Sequence, residues 1–454
     1  MEIINPATEQ IIATIKVDNQ KSLNQKFKLL VEAQKKWANL EISERILILE
    51  KFVVLIKENI DELSLILTSE MGKPLQQSRN EIIGAGNKVL WLTQNAEEYL
   101  SDEIMSISDQ LTEKIVYEPL GVVCNISAWN YPYNVGVNIF VPALLAGNSV
   151  MYKPSEYATL TGIEIDKYLK LAGVPKDVFQ LAIGKGDIGE TLLDMPFNGF
   201  YFTGSYKTGK YIYERIAHKL VPCQLELGGK DPVYVTNEVS NVKSVALGIS
   251  DGVFYNNGQS CCSVERIYVH KEIYEEFVEE FIKEVQSWKI GNPLEDGVYI
   301  SVLTRKEQLE VLEKQVEDAL SSGAICRIGG KKIGSVGYFF QPTVLLNVKN
   351  NMKVMQEESF GPIIGIMKVE NDEEAIYMMN DTVFGLTAAV YSSSQSRAEG
   401  ILAKIDSGSG YWNCCDRVSA ALPWTGRKHS GFGSTLSHQG IRAFSKVKSY
   451  HLRK

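Results

Sequence analysis

Gly121-Val-Val-Cys-Asn-Ile-Ser127 and Asn148-Ser-Val-Met-Tyr-Lys-Pro154 decide the fold. Each is a short apolar run closed off by a turn or breaker residue, which reads as a buried strand and not as a helix. Between Lys153-Pro154 and Gly173, residues 159–172 carry a helical pattern, and further strands follow at 179–183 and 199–202. Strands alternating with helices in this way predict βαβ units and a mostly parallel sheet. A second region of the same kind begins near Gly228, with strands at 232–236 and 266–270 and helices at 240–256, 271–288 and 304–323.

Upstream, residues 3–17 alternate apolar and polar around Asn5-Pro6, which predicts a short strand pair. Amphipathic helices follow at 22–37 and from an N-cap at Ser43 through Thr68. Gly72-Lys73-Pro74 stops that run before another helix at 78–99. Residues 102–119 are polar and β-prone, a solvent hairpin or an edge that pairs with another subunit. At 454 residues the chain exceeds one core, so two or three domains are expected.

Composition narrows the function. A net charge of −8, from 47 basic and 55 acidic residues with no basic stripe, argues against nucleic acid and anionic membranes as partners. The seven cysteines include two vicinal pairs and no CxxC, and the five histidines are scattered. Neither a disulfide framework nor a metal site is expected. The N-terminus has no basic region followed by an apolar core, and no run of about 18 apolar residues exists to span a bilayer. A cytoplasmic, reducing compartment is the expectation.

The chemistry centres on residues 255–266, Tyr-Asn-Asn-Gly-Gln-Ser-Cys-Cys-Ser-Val-Glu-Arg, where a polar loop delivers Cys261 and Cys262 ahead of a strand. Backbone N–H groups around such a cysteine can stabilise a thiolate, and later an oxyanion on a carbonyl it attacks. The plain alternative is a pair of small buried hydrophobes; the polar approach argues for exposure instead. Two Gly-rich turns follow strands. Gly184-Lys-Gly186-Asp-Ile-Gly189 spells GxGxxG before a helix starting near Glu190, and Phe202-Thr-Gly204-Ser205 leads to a helix over 209–217. Both would aim backbone N–H groups at a pyrophosphate, although neither lies in the first βα unit; the alternative, equally open for either, is a mere tight turn.

Lys153-Pro-Ser-Glu156 stands just after a strand, where Glu156 can accept from ribose hydroxyls or simply make a solvated salt bridge. Leu225-Glu226-Leu-Gly-Gly229 places an acid among leucines, which raises its pKa as a general base requires; the alternative is an acid on the polar side of a strand. Trp129-Asn130-Tyr-Pro132 puts an amide at a strand end, as half of an oxyanion hole or as an Asx turn.

Together these residues resemble the NAD(P)-dependent aldehyde dehydrogenase superfamily. The resemblance runs from Asn5-Pro-Ala-Thr8 to the C-terminal segment, with Glu358-Ser-Phe-Gly-Pro362 and Ser430-Gly431 completing seven motifs in family order. It implies an α/β protein with a Rossmann-like cofactor domain (1–98 and 120–228), an α/β catalytic domain (229–440) and a small β oligomerisation element (99–119 and 441–454). It assigns Cys261 as nucleophile, Glu226 as general base, and Asn130 with the Cys261 backbone N–H as oxyanion hole. Lys153 and Glu156 match the adenosine-ribose contacts, Gly204 and Ser205 the pyrophosphate turn, and Glu358 and Phe360 the nicotinamide-ribose contacts. Trp129, Gly186, Gly189, Phe202 and Leu227 are expected along the same groove.

The implied reaction is oxidation of an aldehyde to its acid through a thiohemiacetal and a hydrolysed thioester. NAD is the expected cofactor because Glu156 repels a 2′-phosphate, with NADP possible. Members that pass the acyl group to coenzyme A lack the general base, so Glu226 favours hydrolysis over that alternative; a non-catalytic oligomer of the same fold is the other. A homodimer or homotetramer is implied.

Two departures from the family pattern, and one charged residue, bear on substrate and water activation. Succinic-semialdehyde enzymes carry an Arg where this chain has Asn138. An acid found after the Ser-Gly-x-Gly stretch is Thr435 here, which leaves water activation to Glu226 alone. Arg417 stands in the loop at the substrate mouth, where it can attract an anionic aldehyde or serve only as surface charge. Tyr131, Tyr255 and Trp424 would form an aromatic wall suited to an apolar or cationic aldehyde.

Overall fold

The computed structural model describes residues 1–454, and two parallel sheets dominate it. In the first, strands Cys223–Glu226, Gly199–Thr203, Val122–Ile126, Ser149–Lys153 and Phe179–Leu181 lie side by side, all parallel. Such strands are buried on both faces, which is why they read as unbroken apolar runs. Gly431–Phe432 adds an antiparallel edge, with Gly431 opposite Glu226. A segment from the far end of the chain is thereby tied to the strand that carries the acid.

The second sheet has Asp231–Val235 and Val264–His270 at its centre, flanked by Ile363–Val369 and Thr343–Leu346 on one side and Thr387–Tyr391 and Ser409–Trp412 on the other. Only its edge strand, Ile325–Ile328, runs antiparallel. A third sheet joins Glu103–Ile107, Leu111–Pro119 and Ser445–Arg453. Ile107 at 75% and Val447 at 65% exposure leave apolar surface on it.

Several elements differ from expectation, each for a local reason. The run expected from Ser43 to Thr68 is two helices, Ile42–Glu58 and Ile60–Met71. Asn59 divides them: its backbone leaves helical geometry at φ −110°, ψ 23°, while its N–H at 3.2 Å and its side-chain amide at 2.8 Å both donate to the Leu55 carbonyl. The cap is Glu41 and not Ser43, with the Glu41 N–H donating to Glu44. Helix Leu75–Leu100 starts three residues before the expected 78.

Helix Pro132–Leu145 has no amphipathic signature because twelve of its fourteen residues are buried. It forms the centre of the largest apolar core, where the Trp37 indole donates to the Leu144 carbonyl at 2.9 Å. The helices expected near Glu190 and at Gly209 begin earlier, as Gly186–Asp194 and Tyr206–Ile216. The GxGxxG stretch is therefore the first turn of a helix and not a loop ahead of one.

Candidate active site

A cleft of about 1020 Å³ opens between the C-terminal ends of the first sheet's strands and the loops that lead into the strands of the second. Asn130, Glu226 and Cys261 line it, and so do Trp129, Lys153, Glu156, Gly186, Gly189, Phe202, Gly204, Ser205, Leu227, Glu358 and Phe360. The fold thus brings every expected catalytic and cofactor position to one surface.

Close approach explains several of its glycines. A Cβ on Gly209 would lie 2.4 Å from the Leu227 side chain, and one on Gly228 would lie 2.4 Å from the Glu358 carboxylate. Ser205 caps helix Tyr206–Ile216 by accepting from the Thr208 N–H at 3.4 Å. This helix and Gly186–Asp194 both start at the cleft, where their N–H groups favour a phosphate. Lys153 adds a buried ammonium whose pKa burial lowers. Trp129 and Phe360 meet edge to face at 5.4 Å from opposite walls. Size, helix starts and aromatic lining fit a nicotinamide dinucleotide.

Cys261 ends a loop held by buried amides. Asn256 and Asn257 both adopt left-handed backbone, and Gly258 follows at φ +68°. A Cβ on Gly258 would sit 2.4 Å from the Gly361 carbonyl, so no other residue fits there. The Asn256 N–H donates to Gln77, Asn257 donates to the Val302 carbonyl at 2.8 Å, and Gln259 accepts from the Thr304 N–H at 3.0 Å. The expectation of an exposed loop is corrected: residues 256–260 are buried, and their polar side chains satisfy backbone groups inside the protein. Only Cys261 emerges, half-buried.

Cys262 differs from its neighbour. It is buried, its thiol donates to Asp416 at 3.0 Å, and its pKa is pushed well up by the hydrogen bond with Cys261 and by burial. The Asn130 amide donates to the Gln259 carbonyl at 3.1 Å, which fixes it beside the cysteine. Its backbone carbonyl accepts from buried Lys73 at 2.8 Å, and Lys73 also pairs with Glu81.

Glu226 closes its strand opposite Thr203. Burial pushes its pKa up to about 7, against donation to Oε1 from Thr435 at 2.5 Å and Gln224 at 3.1 Å. Thr435, which the sequence marks only as a missing acid, is thus the hydroxyl that holds this carboxylate. Glu358 is raised to about 8 by burial and by Glu265, and it accepts from the Gly229 N–H at 3.0 Å.

The five residues expected to form the substrate pocket do not line the cleft. Trp424 packs in a small apolar cluster with Cys262, against which Cys261 leans. The Tyr131 ring lies 3.7 Å from the Lys73 ammonium, and Tyr255 accepts from Asn80 at 3.1 Å. Asn138 is buried in helix Pro132–Leu145, and Arg417 is exposed. Two ionisable groups near the cysteines carried no sequence signal. They are Asp416, raised to about 6 by burial, and Lys88, lowered to about 8 by burial. Neither lies in a motif, and only the packing reveals them. No group of three or more His, Cys, Asp or Glu gathers to hold a metal. No helix is long and apolar enough to cross a membrane.

Residues 1–450 match the sequence model of the Aldehyde dehydrogenase family. Aminoaldehyde dehydrogenase 1, peroxisomal, of Pisum sativum is 33% identical over 461 residues, covering 98% of this chain and 91% of that protein. A probable succinate-semialdehyde dehydrogenase [NADP(+)] of Sinorhizobium fredii is 32% identical, covering 98% and 91%. The crystal structure of an NAD-dependent aldehyde dehydrogenase from Sinorhizobium meliloti superposes with a TM-score of 0.97 at 29% identity, covering all of this chain and 91% of the other. The chain belongs to the aldehyde dehydrogenase family. It is an NAD(P)-dependent oxidoreductase that acts on the aldehyde group.

Proposed function

We propose that the protein oxidises an aldehyde to its carboxylic acid with Cys261 as nucleophile, Glu226 as general base and Asn130 as oxyanion donor. The observation that carries this reading is that a half-exposed thiol and a carboxylate with a pKa near 7 open onto the same cleft. Attack of the Cys261 sulfur on the carbonyl carbon gives a thiohemiacetal, and its oxygen takes a hydrogen bond from the Asn130 amide. When bound, the nicotinamide supplies the hydride acceptor that converts this adduct to a thioester. Glu226 then takes a proton from water, whose oxygen attacks the thioester carbon. The acid leaves, and the Cys261 sulfur departs as thiolate.

The walls divide the cofactor between them. Lys153 and Glu156 hold the adenosine ribose, Gly204 and Ser205 the pyrophosphate, and Glu358 and Phe360 the nicotinamide ribose. Glu156 biases the site to NAD over NADP by charge. Residues 1–98 with 120–228 form the cofactor domain, 229–440 the catalytic domain, and 99–119 with 441–454 the oligomerisation element. Ile107 and Val447 on that last sheet support burial against a second copy, as a homodimer or homotetramer. A free thiol as nucleophile suits a reducing, cytoplasmic compartment.

The test is absorbance of the reduced nicotinamide across a panel of aldehydes with NAD or NADP, beside Cys261→Ala. Turnover that survives in Cys261→Ala would sink the assignment.

A further inference from the structure

We propose that Lys88, with Asn134 and Asn138, forms a subsite that selects aldehydes bearing a carboxylate away from the reacting carbonyl. The inference rests on Cys261 being the nucleophile. It differs from the apolar or cationic substrate that the aromatic residues alone suggest.

Two helices build the subsite. Glu81 and Lys88 are seven residues apart on helix Leu75–Leu100, two turns along one face. Glu81 fixes where that face points: its Oε1 accepts from the Tyr133 N–H at 2.9 Å, at the start of helix Pro132–Leu145. Gly84, next along, faces Asn134: a Cβ placed on it would lie 3.7 Å from the Asn134 amide. The pairs advance in the same sense on both helices, and one turn further on stand Lys88 and Asn138.

The polar groups here are unspent. Glu81 gives its charge to buried Lys73, not to Lys88. After burial, the charges acting on the Lys88 ammonium are those of Glu226, Cys262, Glu81 and Cys261, in that order, which puts it within electrostatic reach of the base and both cysteines. None of them is its ion-pair partner, and burial lowers its pKa to about 8, so it remains charged at neutral pH.

Asn138 is 5% exposed, and its Oδ1 has no partner; the Asn134 Oδ1 is buried and unpartnered as well. An unmet polar group in a buried helix is costly, so two in one helix, one turn apart, call for a polar ligand. An asparagine amide carries donor and acceptor on the same end, and turning it over presents Nδ2 where Oδ1 now stands. One ammonium and two amides are a donor set for a carboxylate.

The test is steady-state kinetics with saturating cofactor on paired straight-chain aldehydes of equal length, one ending in a carboxylate and one in a methyl group. The wild type is expected to prefer the carboxylate. In Lys88→Met the ratio of kcat/KM, acid over neutral, should fall about ten- to a hundredfold, mostly through KM, with partial rescue in Lys88→Arg. Asn138→Ala should lower the same ratio several-fold, and it keeps the test open should Lys88→Met not fold.

An equal fall in kcat for both aldehydes would overturn the proposal, because Lys88 would then act on Cys261 or Glu226 and not on substrate. So would a wild type indifferent to the carboxylate. Failure of the underlying reading looks different: Cys261→Ala would retain turnover of both aldehydes.

Discussion

The two sides of Cys261 are built by different means. On the cofactor side, strand ends, helix starts and glycines make the wall: Glu226 at the end of Cys223–Glu226, Gly228 against the Glu358 carboxylate, Ser205 capping its helix. Backbone positions fix that surface, and few side chains fit it. On the other side, helix faces and a distant loop meet. Lys88 comes from one helix, Asn138 from another, and Asp416 and Trp424 from segments far along the chain. There side chains alone set the chemistry. The contrast teaches that one wall of a cleft can be fixed by backbone positions while the opposite wall depends on a few exchangeable side chains.

Substitutions can break or sharpen this contrast. The largest effect belongs to the residue both sides share: Cys261→Ala should lower kcat at least about a thousandfold with every aldehyde and either cofactor, read by nicotinamide absorbance. Next is the buttress between the two sides. Lys73→Met leaves Glu81 buried without its cation and should cost about 3–5 kcal/mol in urea unfolding. A loss under about 1 kcal/mol would mean that Glu81 finds another partner or takes up a proton.

Glu226→Gln should cut steady-state turnover roughly a hundredfold yet keep a first burst of reduced cofactor, because only thioester hydrolysis needs the base. Rapid-mixing absorbance without a burst would move Glu226 to the first half of the reaction. On the cofactor side, Glu156→Gln should raise kcat/KM for NADP relative to NAD about three- to tenfold by removing like charge.

The smallest effect concerns Thr435. The base works ionised, so the rate of thioester hydrolysis should rise with pH through about 7 and level off above it. The Thr435 hydroxyl stabilises the charged form. Thr435→Val should therefore move that limb upward by roughly half to one pH unit, visible in the pH profile of kcat. A limb that stays in place would show that the hydroxyl is only structural.

Much of the fold was legible because its strands are short, apolar and closed by Gly, Asn or Pro. The cleft was legible because its wall is written in local motifs. Illegible elements share one cause: their surroundings are not local. Helix Pro132–Leu145 is buried all round and shows no periodicity, and the Asn-rich loop before Cys261 is buried although its composition argues for water. Asn59 ends a helix where the apolar pattern runs on, its side-chain amide adding a second hydrogen bond to the Leu55 carbonyl as the backbone leaves helical geometry.

By itself the sequence determined the parallel α/β plan and picked out the candidate nucleophile, base and cofactor groove, since each depends on a residue type at a fixed place on a strand end or turn. Tertiary structure alone decided which cysteine of the pair opens onto the cleft and what holds Glu226. The Cys262 thiol, raised by its hydrogen bond with Cys261 and by burial, donates to Asp416, 154 residues away, and Glu226 is held by Thr435, 209 residues away. Desolvation and hydrogen bonding act through space, and no local pattern in the chain encodes such distances.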